Sequence, residues 1–228
     1  MKRSQINKSI KEAIAFFKKN NFTLPLFAYW QKRKWQANKS EYQEVLETRL
    51  GWDVTNFGSN NFTHMGRTIF TLRNGKYNSK KYPKTYAQKI MMLNEGQKSP
   101  IHYHKRKMED IINLAGGNIV IRFWKAGKNG ILLKNKLTVK IDGGEKTVAA
   151  GKKVVLKNGE SVCIVPGTYH EFYAEERKGK VMSGEVSSVC DDLNDNFWLK
   201  KAVRFPVIEE NEPQKYILCS EYKILFTH

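Results

Sequence analysis

The chain has 228 residues, of which 40% are hydrophobic and 12% aromatic, so its composition excludes a disordered protein and allows a substantial core. No apolar run approaches the roughly 18 residues of a membrane span, and the basic start has no apolar segment or small-residue cleavage site, so we expect neither a membrane partner nor a secretory leader. The net charge of +18 is spread along the chain without a basic block, which favours a solvated, lysine-rich surface over a nucleic-acid partner.

The N-terminal part of the chain has the periodicity of helices. Apolar residues at three- and four-residue intervals predict an amphipathic helix near the start, with Ser4 as its cap and Asn20 and Asn21 as its stop. Pro25 then predicts an extended connector, because proline cannot continue a helix.

A second helix is predicted near the end of the N-terminal helical part. Ser40 and Gln43 have the spacing of a capping box, and Gly51 stands where a C-terminal cap is expected. We therefore expect residues 1–51 to form a helical extension that packs on the remainder of the chain, residues 52–228.

From Trp52 onward the chain consists of short β-branched or aromatic segments separated by Asn-Gly and Gly-Gly turns. Strands are predicted within residues 68–75, 85–93, 118–124, 136–148, 153–165 and 180–189. Many short strands with such turns predict a mainly β domain, an antiparallel sandwich or closed barrel, rather than a βαβ fold. The strand-like tail, from about Phe205, is expected to wrap back onto this domain.

The segment SPIHYHKRKMEDII carries a candidate metal site. His102 and His104 lie two apart on a predicted strand and share a face, Glu109 returns beyond a turn, and His170 offers a fourth donor. Three imidazoles and one carboxylate suit a borderline divalent ion such as Mn²⁺, Fe²⁺, Co²⁺, Ni²⁺ or Zn²⁺, and about two positions of an octahedral ion stay open for neighbouring substrate oxygens. The alternative is an ordinary polar patch. Asp110 is a candidate to orient one of the histidines.

The spacing around these residues resembles the two motifs of the cupin superfamily, small antiparallel β-barrels or jelly rolls that hold a metal inside. The first motif matches fully from Gly96 to Gly116: glycine, five residues, His-x-His, four residues, glutamate, six residues, glycine. The second, from Gly159 to His170, departs from the pattern because its Pro-Gly pair is contiguous and Ala174 stands where the superfamily often has asparagine.

A narrower resemblance extends over nearly the whole chain. The segments that resemble the D-lyxose isomerase family are LGWDVTNFG, TIFTLRNG, YAQKIM, HKRKMEDIIN, PGTYHEF and GEVSSVCDD. This resemblance implies a metal-dependent enzyme that interconverts D-lyxose with D-xylulose and D-mannose with D-fructose. It also implies a divalent ion, usually manganese, and a homodimer of cupin barrels.

Aldose–ketose isomerisation needs stabilisation of an enediolate and a base that moves a proton between C1 and C2. We expect proton transfer through a cis-enediol, with a metal-assisted hydride shift as the rival. Lys107 is a candidate base or oxyanion-stabilising cation, unless it is a solvated member of a basic triplet. Glu185 is a candidate base because an inward carboxylate in an apolar strand is expected to have a raised pKa; the alternative is an ion pair.

Four further residues are candidate substrate contacts: Lys89, Asp192, Arg204 and Phe172. The tryptophans, in contrast, are expected to serve packing. Two alternative functions remain open, a metal-dependent sugar-binding protein without turnover and a sugar-phosphate isomerase, although no glycine-rich phosphate cradle occurs. Three widely spaced cysteines argue against a disulfide scaffold and predict a reducing, cytoplasmic location.

Overall fold

The computed structural model describes residues 1–226, so the last two residues of the predicted domain lie outside the description. Three α-helices come first: α1 (Arg3–Lys19), α2 (Lys32–Asn38) and α3 (Gln43–Glu47). Short 3₁₀ helices span Leu26–Tyr29, Lys128–Gly130 and Tyr222–Leu225. Within residues 1–226, no helix has the length and apolar character needed to cross a membrane.

Fourteen strands follow the helices over the described residues. They are β1 (Gly51–Thr55), β2 (Arg67–Arg73), β3 (Tyr86–Leu93), β4 (His102–Tyr103), β5 (Glu109–Gly116), β6 (Ile119–Ala126), β7 (Leu132–Leu133), β8 (Leu137–Ile141), β9 (Gly144–Val148), β10 (Lys153–Leu156), β11 (Ser161–Ile164), β12 (Thr168–Ala174), β13 (Val181–Ser188) and β14 (Phe197–Trp198). Each of the six predicted segments contains one or two of these strands.

The strands form two sheets in which every named pair is antiparallel. One sheet has the order β1-β2-β3-β13-β5-β11-β8-β9, and the other β10-β6-β12-β4-β14 with β7 beside β6. Alternate residues of facing strands fill the space between the sheets, among them Met91, Ile111, Ile121 and Phe172. The predicted mainly β, antiparallel fold is confirmed.

Helix α1 covers the outer face of the larger sheet. Its apolar stripe, which includes Ile6, Ile10 and Phe17, is fully buried against Trp52 of β1 and Phe70 of β2. Each such side chain contributes about 1.5–3 kcal/mol of hydrophobic stabilisation. Because α1 covers this face, most residues of β2 and β3 are buried on both sides of the sheet. Inward residues of both strands line a polar cavity. The division of the chain at residue 52 stays a prediction.

The start of α1 differs from its prediction because a tertiary anchor overrides the local signal. The helix begins at Arg3, so Ser4 lies inside the first turn, while the predicted stop at Asn20 is confirmed. The Arg3 guanidinium is buried and pairs with Glu210 and Glu221 of the C-terminal segment. These ion pairs anchor the first turn of α1 to the C-terminal segment.

The prediction of a helix ending at Gly51 is also wrong. Helix α3 spans only Gln43–Glu47, and Gly51 opens β1 with φ of +100°. The Tyr222 hydroxyl donates to the Leu50 carbonyl and fills the space a Cβ at Gly51 would need, so glycine is required there by a close approach. Helix α2 and the 3₁₀ turn after Pro25 were not anticipated.

The C-terminal tail returns to the fold, but not as the strand its composition suggests. Leu218 makes a single parallel bridge to Trp52, and the chain then forms the 3₁₀ helix Tyr222–Leu225. The tail packs against Trp35 and Leu46 of the helical part, in a cluster separate from the core between the sheets. The tail has the composition of a strand, but Leu218 is its one residue paired with β1 in the described chain, so no strand forms there.

Candidate metal centre and active site

Three histidines meet at one end of the space between the sheets. His102 on β4 and His170 on β12 face each other in register, and His104 follows two residues after His102. All three side chains are buried, and one ring nitrogen of each lies within 4.8 Å of the others. This group can hold a metal ion, and it brings together three of the four predicted ligands.

The second ring nitrogen of each histidine sets its tautomer. The three Nδ1 atoms lie 2.9, 2.7 and 3.1 Å from the backbone carbonyl oxygens of Pro100, Asp195 and Thr168, respectively. A carbonyl only accepts, so Nδ1 carries the hydrogen and the Nε2 lone pair is available to a cation. Burial and the adjacent imidazoles hold the pKa of His102 well below its usual value, and burial with a nearby ammonium lowers the pKa of His104.

Asp110, considered from sequence as a residue that orients a histidine, has no part in this arrangement. The oxygens that accept from the three imidazoles all belong to the backbone. Composition and spacing carry no signal for such contacts, because any residue type supplies a carbonyl.

Glu109, the fourth predicted ligand, stands beside two of the imidazoles at the start of β5. Its Oε1 lies 3.0 Å from His170 Nε2 and 3.4 Å from His104 Nε2. Within residues 1–226, neither Glu109 Oε1 nor His104 Nε2 finds a hydrogen-bond partner, although both are buried. Buried atoms of this kind need a partner, and a divalent cation fits three imidazole nitrogens and one carboxylate oxygen. Metal ligation by these four residues stays a prediction.

Lys107 connects Glu109 to the interior of the cavity. It is buried rather than solvated, and its Nζ lies 2.5 Å from Glu109 Oε2 and 3.0 Å from Glu185 Oε1. Burial alone lowers the pKa of an amine, but the two carboxylates outweigh it and raise the pKa of Lys107 above its usual value. Burial likewise opposes ionisation of Glu109, whereas Lys107 and the histidines hold its pKa well below normal.

Glu185 lies on β13 directly opposite Lys89 of β3. Its Oε1 is 3.3 Å from Lys89 Nζ and also accepts from Ser187 Oγ at 3.3 Å. The predicted raised pKa is wrong: burial does raise it, but Lys107 and Lys89 outweigh burial, and the pKa of Glu185 is lowered. A strand pattern reveals that a carboxylate is buried but not which cations the fold places around it.

The ion-pair row continues from Lys89 to the far side of the cavity. Lys89 Nζ lies 2.8 Å from Cys190 Sγ and 3.9 Å from Asp192 Oδ1. Arg204 pairs with Asp192 at 3.5 Å and with Asp53 of β1. Arg204 Nη1 is buried and has no hydrogen-bond partner anywhere in the described chain. Lysine, arginine and carboxylate side chains therefore alternate from Glu109 to Asp53.

One cavity contains every residue predicted as a ligand, catalyst or substrate contact. The predicted residues that line it are Lys89, His102, His104, Lys107, Glu109, His170, Phe172, Glu185, Asp192 and Arg204. Their roles as ligand, catalyst or substrate contact stay predictions, but the structure brings them together around one space.

Other residues of this cavity were missed by the sequence analysis. Trp198, expected to serve packing, has its ring centroid 4.9 Å from that of His102 and faces the cavity. Arg67 donates to the Gln97 and Phe172 carbonyls and stacks 4.4 Å over the Phe172 ring, and burial lowers the pKa of Arg67 to about 9. The available signal for Asp53 was a single charge within β1, whereas Arg67 shares β2 with Arg73 and had no such signal.

Comparisons with known proteins agree with this geometry. The family model for D-lyxose isomerase matches residues 1–222. The D-lyxose/D-mannose isomerase of Escherichia coli O157:H7 is 45% identical over 224 residues, covering 98% of this chain and 99% of that protein. The protein of the same name from Serratia proteamaculans is 44% identical over 223 residues, covering 97% and 98%.

Among solved structures, L-ribose isomerase from Acinetobacter sp. DL28 in complex with L-ribose superposes with a TM-score of 0.60 at 15% identity, covering 92% of this chain and 98% of that one. This likeness concerns the fold alone and agrees with the predicted mainly β, antiparallel architecture. The sequence relatives go further, because they share close to half their residues over nearly the full length. The chain belongs to the D-lyxose isomerase family, which confirms the predicted membership and, with it, the prediction of an aldose–ketose isomerase.

Proposed function

We propose that the chain is a metal-dependent isomerase that interconverts D-lyxose with D-xylulose and D-mannose with D-fructose. The observation that carries this proposal is that three Nε2 lone pairs and the Glu109 carboxylate face the same cavity as Lys107 and Glu185. The names of the relatives from Escherichia coli and Serratia support the two aldoses. The family resemblance favours Mn²⁺, while the donor set also suits Co²⁺, Fe²⁺, Ni²⁺ and Zn²⁺.

The catalytic roles follow from the charges that surround each group. The bound ion supplies a Lewis acid that stabilises negative charge on neighbouring sugar oxygens. Lys107 lies between two carboxylates and therefore stays an ammonium, which suits it to steady an oxygen anion rather than to act as base. Glu185 is the proposed base that takes the C2 proton and returns it to C1 through a cis-enediol.

The residues beyond Glu185 are proposed to hold the rest of the sugar. Lys89, Asp192 and Arg204 present donors and acceptors at the end of the cavity away from the histidines, and Phe172 forms an apolar wall beside His170. Arg204 Nη1 has no hydrogen-bond partner among the described residues. It is therefore available to donate to a sugar hydroxyl.

The sugar-phosphate alternative is disfavoured by the charges of the same row. Lys107, Lys89 and Arg204 each lie against carboxylates. The row has three cations and four carboxylates, Glu109, Glu185, Asp192 and Asp53. The row therefore carries one more negative than positive charge, which opposes the binding of a phosphate dianion.

We further propose a cytoplasmic homodimer. The family resemblance implies the dimer, and free thiols at Cys163, Cys190 and Cys219 support a reducing compartment. Light scattering of the purified protein measures the oligomeric state.

The proposed activity is tested by ketose formation. Wild-type protein stripped with a chelator and reloaded with Mn²⁺ is expected to convert D-lyxose and D-mannose, with activity lost on stripping and restored by the ion. A panel of other aldoses and of aldose phosphates is assayed alongside. Sugar binding without ketose formation under any of the five ions would instead support the binding-protein alternative, and turnover of phosphates alone would support the sugar-phosphate one.

A further inference from the structure

Asp195 is buried, with 3% of its surface exposed, in the segment between β13 and β14. Its carboxylate accepts hydrogen bonds from three consecutive backbone N–H groups. Oδ1 lies 3.0 Å from the nitrogen of Lys105, and Oδ2 lies 2.9 Å from that of Lys107. The Arg106 nitrogen lies between them, 3.1 Å from Oδ1 and 3.3 Å from Oδ2. Successive N–H groups that curve around one anion form a strong and directional contact.

The backbone of the same residue contacts the histidine on the other side of this turn. The Asp195 carbonyl oxygen accepts from His104 Nδ1 at 2.7 Å. One residue therefore contacts both the candidate ligand that precedes the turn and the candidate catalytic lysine that ends it. Because the side chain is held by three hydrogen bonds, the carbonyl of Asp195 has little freedom to move away from His104.

The turn needs such an anchor because its sequence is basic. Lys105, Arg106 and Lys107 follow one another, and three like charges favour solvent over a buried site. The side chain of Arg106 is 43% exposed and that of Lys107 is 5% exposed, so the backbone must present one outward and the next inward. The buried carboxylate offsets part of this charge, with Arg106 Nε 3.8 Å from Oδ1.

We propose that Asp195 is a positioning residue: it holds His104 in the tautomer that leaves Nε2 free and directs Lys107 into the cavity. It acts through these two residues and does not itself line the cavity. This inference rests on the proposed function.

Asparagine at this position tests the role of the carboxylate with almost no change in volume. The amide has one oxygen, and its NH₂ group faces a backbone N–H that needs an acceptor, so the turn loses at least one hydrogen bond. The matched control is Asp191→Asn. Asp191 lies in the same segment, pairs with Arg106 at 3.2 Å and accepts from Asn194, outside the site cavity.

The measurements are Mn²⁺ affinity of the chelator-stripped protein by calorimetry, the visible spectrum of the Co²⁺-loaded protein, and kcat and KM. Asp195→Asn keeps the carbonyl that accepts from His104 Nδ1 but loosens its anchor, so we expect Mn²⁺ binding to weaken about 10-fold, the lower end of the effect of losing a partner of a ligand histidine. At saturating metal we expect a shifted Co²⁺ spectrum and a kcat reduced by a factor of about 10–100, with KM within about threefold. Asp191→Asn is expected to match wild type in each measurement.

Wild-type Mn²⁺ affinity and Co²⁺ spectrum in Asp195→Asn would overturn the inference, as would a loss of thermal stability alone. Loss of metal affinity without loss of kcat, or the reverse, would also contradict the claim that one residue positions both groups. The metal titration does not depend on turnover, so an inactive wild-type protein would refute the proposed function while leaving this inference open to test.

Discussion

The two walls of the cavity are built in different ways. The strand wall comes from both sheets, β3 and β13 of one and β12 of the other, which present Lys89, Glu185 and His170 by alternation between inward and outward residues. The irregular wall comes from the segment after β13, where Asp192 and Arg204 reach the cavity from irregular backbone. We infer that His170 and Glu185 of the strand wall lie nearest the reacting carbons, where small displacements cost most, and that the irregular wall, together with the neighbouring Lys89, holds the groups that select the sugar.

The largest effect is expected on the strand wall. Glu185→Gln removes the proposed base but leaves Lys107 paired with Glu109 and Lys89 near Asp192, so the proposed metal ligands stay in place. We expect kcat to fall by about 10²–10⁴-fold, the usual contribution of a general base. Steady-state ketose formation measures kcat, and the metal content of the same sample is measured alongside.

The matched control is Glu171→Gln on β12, a buried carboxylate that pairs with Arg122 and does not line the cavity. This variant is expected to keep wild-type turnover per folded molecule. Glu185→Gln with turnover within about threefold of wild type would exclude Glu185 as the base and remove the functional contrast between the walls.

A smaller effect is expected on the irregular wall. Arg204→Lys replaces a planar fork, which contacts Asp53 and Asp192 together, with a single ammonium that cannot contact both in the same way. We expect KM for the aldose to rise about tenfold, equivalent to about 1.4 kcal/mol, with a smaller change in kcat. Initial rates over a range of sugar concentrations separate the two.

Arg33→Lys, on the exposed surface of α2, serves as the control for the same substitution. An unchanged KM in Arg204→Lys would remove this residue from the substrate contacts. A fall in kcat as large as that of Glu185→Gln would instead mean that the irregular wall takes part in the chemistry.

The strand wall is also the part that could be predicted from sequence. His102 and His104 were found because strand residues two apart share a face, and Glu185 because it is a carboxylate in a strand-like stretch of apolar and small residues. The spacing of Glu109 and His170 resembles a known motif. The pKa direction of Glu185 was missed because its two cations come from another strand and a turn.

In the irregular wall, Asp192 and Arg204 were predicted, but the contacts that hold this segment were not. Asp195 acts through contacts to backbone N–H groups and through its own carbonyl, and no residue pattern encodes which turn a loop will meet. Trp198 faces the cavity because β14 pairs with β4, a contact between two-residue strands that periodicity does not detect. The start of α1 was likewise mispredicted, because Arg3 pairs with a residue near the other end of the chain, a contact that local sequence does not reveal.

Metal content after equilibrium dialysis of stripped protein against Mn²⁺ tests most directly whether the three imidazoles and Glu109 form one site. Wild type is expected to hold about one ion per chain, and so is His64→Ala, which changes an exposed histidine outside the cavity. His170→Ala removes the donor that faces both His102 and Glu109, and it is expected to lose most of the bound metal and the activity with it. Full occupancy in His170→Ala, with ketose formation intact, would contradict the account.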